Sequence, residues 1–236
     1  MIPLHDDNPT TLKPHVTVGL IAACTLVFLW QLSLGANGEA TLYALGIIPA
    51  VLLGNAGLDP ALELVPPAAT VVTSMFLHGG WMHLIGNMLY LWIFGNNVED
   101  AMGHGRFILF YLVCGAAAVF AQALPDPTST TPMIGASGAI SGVLGAYLLL
   151  YPHARVLVVI PFGFYLHTTR LPASWVLGFW FAMQLLSTVL AGSQQGGVAF
   201  RAHLGGFVIG ALLIALFKRR NVRLFHPKRR HASPFD

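Results

Sequence analysis

The sequence predicts an all-α, polytopic membrane protein built as a bundle of six transmembrane helices. Its composition points to this class, because 56% of the 236 residues are hydrophobic and only 9% are charged, against about 25% charged in a typical soluble domain. Six uncharged apolar runs also approach the roughly 20 residues that a membrane-spanning helix needs. The predicted spans are residues 15–34, 82–98, 107–124, 136–151, 173–191 and 202–217.

The basic residues are distributed unevenly between the segments that join these spans. If both termini are cytoplasmic, eleven basic residues lie on the inner side and only Arg201 lies on the outer side. An excess of Lys and Arg marks the cytoplasmic side, so residues 1–14 are expected as a cytoplasmic segment and residues 218–236 as a basic cytoplasmic tail. The start of the chain lacks the features of a signal peptide or a transit peptide. We therefore expect the first run to remain as a span, and we expect the cell membrane as the location.

Two connecting segments are apolar without being long enough to span. The stretch from Leu42 to Leu53 is broken by Gly46 and Pro49, so it either lies in the membrane interface or packs on the bundle. The segment 152–171 is divided by Pro161 and has arginines at both ends. It is expected to be an interfacial loop on the inner side.

Polar side chains from three distant parts of the sequence are expected at one membrane depth. His83 and Asn87 are four residues apart, so they lie about 40° apart on one helix face. Ser137 and His203 begin the fourth and sixth spans, which start on the same outer side. The fourth span covers only about 24 Å of a hydrocarbon core of about 30 Å. Ser137 should therefore lie below the surface, in a cavity that water reaches from outside.

Glycines are spaced to bring the fourth and sixth spans together. Gly138, Gly142 and Gly145 share one helix face, while Gly206 and Gly210 form a G-x-x-x-G pair. Small residues let helix backbones approach closely. This packing is predicted to place Ser137 and His203 within hydrogen-bond reach, although glycines of this kind support proximity and not chemistry.

The residue types fit a serine hydrolase with Ser137 as nucleophile and His203 as general base. His83, Asn87 and the Ser137 backbone N–H are suitable donors for an oxyanion, although His83 and Asn87 could instead serve as hydrogen-bonding contacts between helices. No Asp or Glu lies in the assigned spans, so a Ser–His dyad is expected, with His203 oriented by packing. The absence of Asp and Glu from the spans also argues against an aspartyl protease. A metalloprotease is disfavoured because the sequence has no H-E-x-x-H motif. Neither a metal nor another cofactor is expected.

Three segments resemble the motifs of the rhomboid family of intramembrane serine proteases. They are HGGWMHLIGN at 78–87, GASG at 135–138, and AHLGG at 202–206 followed by Gly210. The resemblance extends from Thr73 to Phe217 and implies a bacterial-type core of six helices. It implies Ser137 as nucleophile, His203 as base and His83 and Asn87 as oxyanion donors, with the Ala136 N–H contributing. Its implied partners are single transmembrane helices, cut near the outer membrane boundary, and the lipid bilayer; no nucleic acid is implied.

Two departures from the family pattern concern the surroundings of this site. Some members carry a Trp-Arg pair in the first outer loop, but residues 35–81 contain no arginine here. Some members carry a tyrosine four residues after the nucleophile, where this chain has Ser141. These differences concern the anchoring of the loop and the support of the His203 ring.

Two other classes of function fit the polar residues less well than a protease. A catalytically silent rhomboid-like protein that binds transmembrane clients would not need both Ser137 and His203, which this chain retains. A transporter or channel would carry polar groups along a path through the bilayer, whereas here they gather at one depth.

Overall fold

The computed structural model describes residues 1–35, 38–163, 165–191 and 199–226, and most of them lie in helices around an apolar core. Two single 3₁₀ turns at Pro67–Ala69 and Ser74–Phe76 flank one short helix, and a π-helical stretch, Leu91–Gly95, joins two others. The elements in chain order are β1 (Ile2–Asp6), α1 (His15–Ser33), α2 (Gly38–Leu45), α3 (Pro49–Leu52), α4 (Thr70–Thr73), α5 (Trp81–Tyr90), α6 (Asn96–Met102), α7 (His104–Ala123), α8 (Ser137–Leu150), β2 (Arg155–Phe162), β3 (Tyr165–Pro172), α9 (Ala173–Ala191) and α10 (Phe200–Phe217).

Among the described residues, four helices are long and apolar enough to cross a membrane: α1, α7, α9 and α10. The chain from Trp81 to Met102 is also one continuous helical path, about 33 Å long at 1.5 Å per residue. With 14 residues, α8 is about 21 Å long and falls short of the hydrocarbon core. The predicted helical, polytopic membrane fold is confirmed, while the count of six spans and their orientation stay predictions.

Most of the segment 152–171 forms a β-hairpin, so the prediction of a loop is wrong, while its place at the inner interface stays a prediction. Strands β2 and β3 pair antiparallel, and β1 pairs with the other side of β2 to give a three-stranded sheet in the order β1-β2-β3. Val156 and Val158 are fully buried, which is the period-two pattern of a strand that covers a core. The pairing of β2 with β1 ends at Val159. Pro161 lies beyond that point and pairs only with Leu166 of β3. Proline is tolerated at such an edge because no ladder hydrogen bond is lost there.

The first strand ties the amino-terminal segment to the helical bundle. Asp6 is buried, and its Oδ2 accepts a hydrogen bond of 2.5 Å from the Tyr147 hydroxyl of α8. The backbone N–H of Arg155 donates to Asp7 Oδ1 at 2.7 Å. Residues 1–14 are therefore part of the folded domain, and not only a polar segment that precedes it.

The helix that starts at Trp81 ends four residues later than the predicted end at residue 98, and it carries a buried carboxylate. Glu99 is fully buried and accepts hydrogen bonds from the backbone N–H groups of Val16 and Thr17 at 2.9 and 2.8 Å. The Thr17 hydroxyl and the His104 ring also contact it, at 2.6 and 2.5 Å. The first N–H groups of a helix have no partner within that helix, so Glu99 caps α1 from a neighbouring helix.

The apolar stretch from Leu42 to Leu53 packs on the rest of the protein. Ala44, Ile47 and Ala50 are buried, and Ile47 forms a two-residue β-bridge with Met133, with backbone N–O distances of 2.9 and 2.7 Å. Of the two alternatives left open by the sequence, packing is the one observed. The bridge holds the loop that leads into α8.

Candidate active site

Glycines bring α8 and α10 into direct backbone contact. A Cβ atom added at Gly206 would lie 2.1 Å from the Gly138 carbonyl oxygen, and one at Gly210 would lie 2.0 Å from that of Gly142. A Cβ at Gly145 would lie 2.1 Å from the Phe207 carbonyl oxygen. No residue with a side chain fits at these positions without moving a helix, because real Cβ atoms do not approach backbone atoms this closely.

This contact brings Ser137 and His203 together. Ser137 is the first residue of α8, and His203 lies in the first turn of α10. The Ser137 Oγ and the His203 Nε2 are 2.8 Å apart, which is within the normal range for a hydrogen bond from a hydroxyl. When the hydroxyl donates to Nε2, the neutral ring carries its own proton on Nδ1.

The second ring nitrogen of His203 contacts a side chain that the sequence reasoning missed. Gln184 of α9 places its Oε1 2.7 Å from His203 Nδ1. The Trp180 and Phe200 rings lie beside the imidazole, with centroids at 6.0 and 6.5 Å. The orientation of His203 therefore combines packing, which was predicted, with a polar contact, which was not. The signal was available as a single amide in the apolar run Trp180 to Leu186.

Ser141 uses its hydroxyl within its own helix. The Ser141 Oγ donates to the Ser137 carbonyl oxygen at 2.6 Å. This is the usual local bond of a serine inside a helix. It gives Ser141 a role in α8, while the contacts with the His203 ring come from Gln184 and Trp180 of α9 and Phe200 of α10.

His83 and Asn87 approach the residues just before Ser137. A Cβ at Gly135 would lie 2.7 Å from His83 Nε2 and 3.7 Å from Asn87 Nδ2. Gly135 also has φ +117°, a conformation that side chains disfavour. A glycine is needed at this position for both reasons, and it lets the backbone that enters α8 pass directly over both side chains.

Two kinds of N–H donor lie near the start of α8. Asn87 Nδ2 is buried and has no hydrogen-bond partner among the residues that the structure describes. The buried Ala136 immediately precedes α8, and the first backbone N–H groups of a helix have no partner within it. Such donors can stabilise a negative charge that develops next to Ser137.

His78 extends this polar group toward α1. Its backbone N–H donates to Gln31 Oε1 at 3.0 Å, and its ring lies 5.1 Å from the His83 ring. Burial, helped by the neighbouring His83, lowers the pKa of His78 to about 4. His78 is therefore neutral at physiological pH and contributes no positive charge beside His83.

A cavity of about 30 Å³ adjoins Ser137. Gly135 and Gly138 line it next to the hydroxyl, and Met75, Met133 and Ile134 contribute apolar walls. This exceeds the roughly 10–15 Å³ that a cavity needs, on the same measure, to hold one water molecule. The site therefore has room for a water molecule beside the serine.

Comparison with known proteins gives one family. The family model described as Rhomboid domain matches residues 67–220. The chain is 30% identical over 157 residues to Rhomboid protein 1, mitochondrial, of Saccharomyces cerevisiae, which covers 64% of this chain and 42% of that protein. It is 36% identical over 137 residues to Rhomboid protease GluP of Bacillus subtilis, a match that covers 58% of this chain and 24% of that protein. It is 35% identical over 162 residues to Rhomboid-like protease 5 of Toxoplasma gondii, a match that covers 66% of this chain and 17% of that protein. Each match spans less than half the length of the relative.

Proposed function

Since the chain belongs to the rhomboid family, we propose that it is an intramembrane serine endopeptidase that cleaves the transmembrane segments of other membrane proteins. The family resemblance implies transmembrane helices as substrates, and two of the relatives above are named proteases. The observation that carries the proposal is the distance of 2.8 Å between Ser137 Oγ and His203 Nε2. A nucleophile within hydrogen-bond reach of a base is the arrangement that acyl transfer requires.

Acylation uses the dyad and the donors around it. Ser137 Oγ attacks the carbonyl carbon of the scissile bond while its proton passes to His203 Nε2. The carbonyl oxygen becomes an oxyanion, which Asn87, His83 and the backbone N–H groups of Ala136 and Ser137 stabilise. Each such donor contributes about 10²–10³ in rate. His203 then gives its proton to the leaving nitrogen, the C–N bond breaks, and the acyl group stays on Ser137.

Deacylation repeats these steps with water. A water molecule from the cavity beside Ser137 attacks the ester carbon while His203 takes its proton. The same donors stabilise the second oxyanion. The proton returns to Ser137 Oγ as the ester bond breaks, which releases the new carboxylic acid terminus and restores the enzyme.

The proposed location is the cell membrane, with both termini cytoplasmic and the site opening to the outer side. The distribution of eleven basic residues against one supports this orientation. The cut then lies near the outer membrane face, because Ser137 begins the short helix α8. We propose that the substrate helix reaches the site sideways, between helices.

The experiment that tests the function is cleavage of a reconstituted transmembrane substrate, with the cut mapped by mass spectrometry. We expect cleavage by the wild-type protein and none by Ser137→Ala or His203→Ala. Ser141→Ala is the matched control: it removes a hydroxyl one turn along the same helix that bonds only locally to the Ser137 carbonyl, so it should stay within about threefold of wild type.

A fluorophosphonate probe separates an active protein from a catalytically silent one. The probe should label Ser137 in the wild-type protein, and labelling should be lost in His203→Ala. The same product from Ser137→Ala would contradict the nucleophile. A wild-type protein that neither cleaves nor labels would instead favour a silent member that binds transmembrane clients.

A further inference from the structure

We propose that Gln184 is the positioning residue of His203 and that it fixes the ring in the tautomer that accepts the proton of Ser137. The Gln184 Oε1 lies 2.7 Å from His203 Nδ1, while Nε2 of the same ring lies 2.8 Å from Ser137 Oγ. Both ring nitrogens are thus engaged from opposite sides. This inference goes one step beyond the proposed dyad and rests on it.

The tautomer follows from the donor and acceptor count. For His203 to accept from Ser137, Nε2 must be unprotonated, and the neutral ring then carries hydrogen on Nδ1. That hydrogen needs an acceptor, and the amide oxygen of Gln184 supplies one at hydrogen-bond distance. The wrong tautomer would point a hydrogen from Nε2 at the serine. It would also turn Nδ1 into an acceptor facing an oxygen.

The packing of α9 holds Gln184 where this contact requires it. Trp180 lies four residues earlier, on the same helix face, and its ring is 6.0 Å from those of both His203 and Phe207. Phe181 contacts Phe207 with a centroid distance of 4.8 Å. These aromatic contacts fix α9 against α10, so the amide is held in place by packed rings.

An amide fits this position better than a carboxylate would. An ionised side chain in a transmembrane segment carries a large desolvation cost, whereas a glutamine accepts the same hydrogen bond while remaining neutral. In the soluble serine hydrolases an aspartate holds the histidine by its Nδ1 hydrogen. Gln184 provides that orienting contact here without a buried charge. It also accounts for ring support where Ser141 replaces an aromatic residue.

The test compares three substitutions at this position in the full-length protein. Gln184→Met keeps the length and removes the acceptor. Gln184→Asn keeps the amide on a side chain that is one methylene too short. Both should lower kcat about 10- to 100-fold, because the part-buried Nδ1 hydrogen of His203 loses its acceptor, with KM within about twofold because Gln184 acts through His203.

Gln184→Glu separates positioning from a merely structural role. It retains an acceptor at the same distance, so it should be faster than Gln184→Met. A negative acceptor favours the protonated ring, so the acidic limb of the rate profile should move to higher pH. Thr188→Val is the matched control, because it removes a local bond of 2.9 Å to the Gln184 carbonyl on the same helix. It should leave kcat within about twofold of wild type.

The outcomes distinguish this proposal from the proposed function. An active wild-type protein with Gln184→Met at wild-type kcat would overturn the role of Gln184 and leave the dyad intact. The role of Gln184 would also be overturned if Gln184→Met and Gln184→Glu were equally slow with an unchanged pH profile. A change confined to KM would overturn it as well. A wild-type protein that neither cleaves nor labels with fluorophosphonate would contradict the proposed function itself.

Discussion

Gly210 of α10 lies against the backbone of Gly142 of α8, so closely that a Cβ atom at Gly210 would be 2.0 Å from the Gly142 carbonyl oxygen. One turn earlier in both helices, Gly206 has the same relation to Gly138, at 2.1 Å. Ser137 and His203 lie at the starts of these two helices, directly beside the contact. The spacing of the helices therefore sets the distance between the hydroxyl and the imidazole.

Gly210→Ala should separate the two helices and slow cleavage. The added methyl group meets backbone on a rigid helix, so overpacking should cost about 1 to 3 kcal/mol or more. The Ser137–His203 contact should lengthen with it, and kcat should fall at least about tenfold, since small misplacements at a reacting centre cost about 10²-fold. Thermal unfolding in detergent and cleavage of a transmembrane substrate measure the two effects.

Gly178→Ala is the control for Gly210→Ala. A Cβ at Gly178 of α9 would meet nothing within 4 Å, and alanine is favoured over glycine inside a helix by about 1 kcal/mol. This variant should be as active as wild type and at least as stable. Equal behaviour of the two alanine variants would contradict the close contact of α8 and α10.

Asn87→Ala should lower kcat more than it raises KM. Its Nδ2 is buried with no partner among the described residues, so the bond it makes is expected only when an oxyanion forms. Loss of one such donor costs about 10²–10³ in kcat, less than the loss of Ser137. Asn96→Ala, on the same helical path but bonded to the backbone N–H of Asn97 at 2.8 Å, should keep wild-type kinetics. A loss confined to KM would assign Asn87 to substrate binding.

The apolar runs and the spacing of glycines were sufficient to predict a helical membrane fold and the close contact of α8 with α10. Hydropathy defines long helices because their backbone bonds are satisfied within each segment. The G-x-x-x-G pair Gly206 and Gly210 predicted the approach of α8 and α10 because small residues have one main use in such helices. The predicted proximity of Ser137 to His203 rested on this packing and on the shared outer side at which the fourth and sixth spans begin.

The sequence signals failed where a pattern was short or where two distant segments had to meet. The hairpin at 155–172 was hidden because its first strand is a continuous apolar run, which periodicity cannot separate from other buried segments. The third strand of the sheet comes from residues 2–6, about 150 positions away along the chain. Gln184 was missed for a similar reason, since an amide in a span identifies its partner only when α9 and α10 are packed.

Glu99→Gln should destabilise the protein without touching the site. The Glu99 carboxylate accepts hydrogen bonds from the backbone N–H groups of Val16 and Thr17, one on each oxygen. A glutamine has only one oxygen, so its NH₂ group would face one of these N–H donors. Hydrogen bonds to a buried charge are strong, so the expected loss is about 2 to 4 kcal/mol in the free energy of unfolding. Glu39→Gln, at an exposed position in α2, should change stability by less than about 0.5 kcal/mol. Equal stability of the two variants would contradict the capping role.

Asp6 should make the stability of the fold fall as the pH rises from about 4 to about 6. Burial raises the pKa of Asp6 from 3.8 to about 6, although the hydrogen bond from Tyr147 opposes this shift. Within that window the unfolded chain has released its proton and the folded chain has kept it. Since the folded state binds more protons there, the free energy of unfolding decreases with rising pH. The free energy of unfolding falls by about 3 kcal/mol in total across this window. At higher pH it stays lower by that amount.

Two variants test this pH dependence in detergent-solubilised protein. Asp6→Asn cannot ionise, so its contribution to the slope of unfolding free energy between about pH 4 and 6 should disappear. Tyr147→Phe removes the hydroxyl that lowers the pKa of Asp6, so the decline should extend to higher pH than in wild type. A wild-type protein whose stability rises steadily through this window would contradict the burial of Asp6, because an acid with a lowered pKa produces that opposite slope.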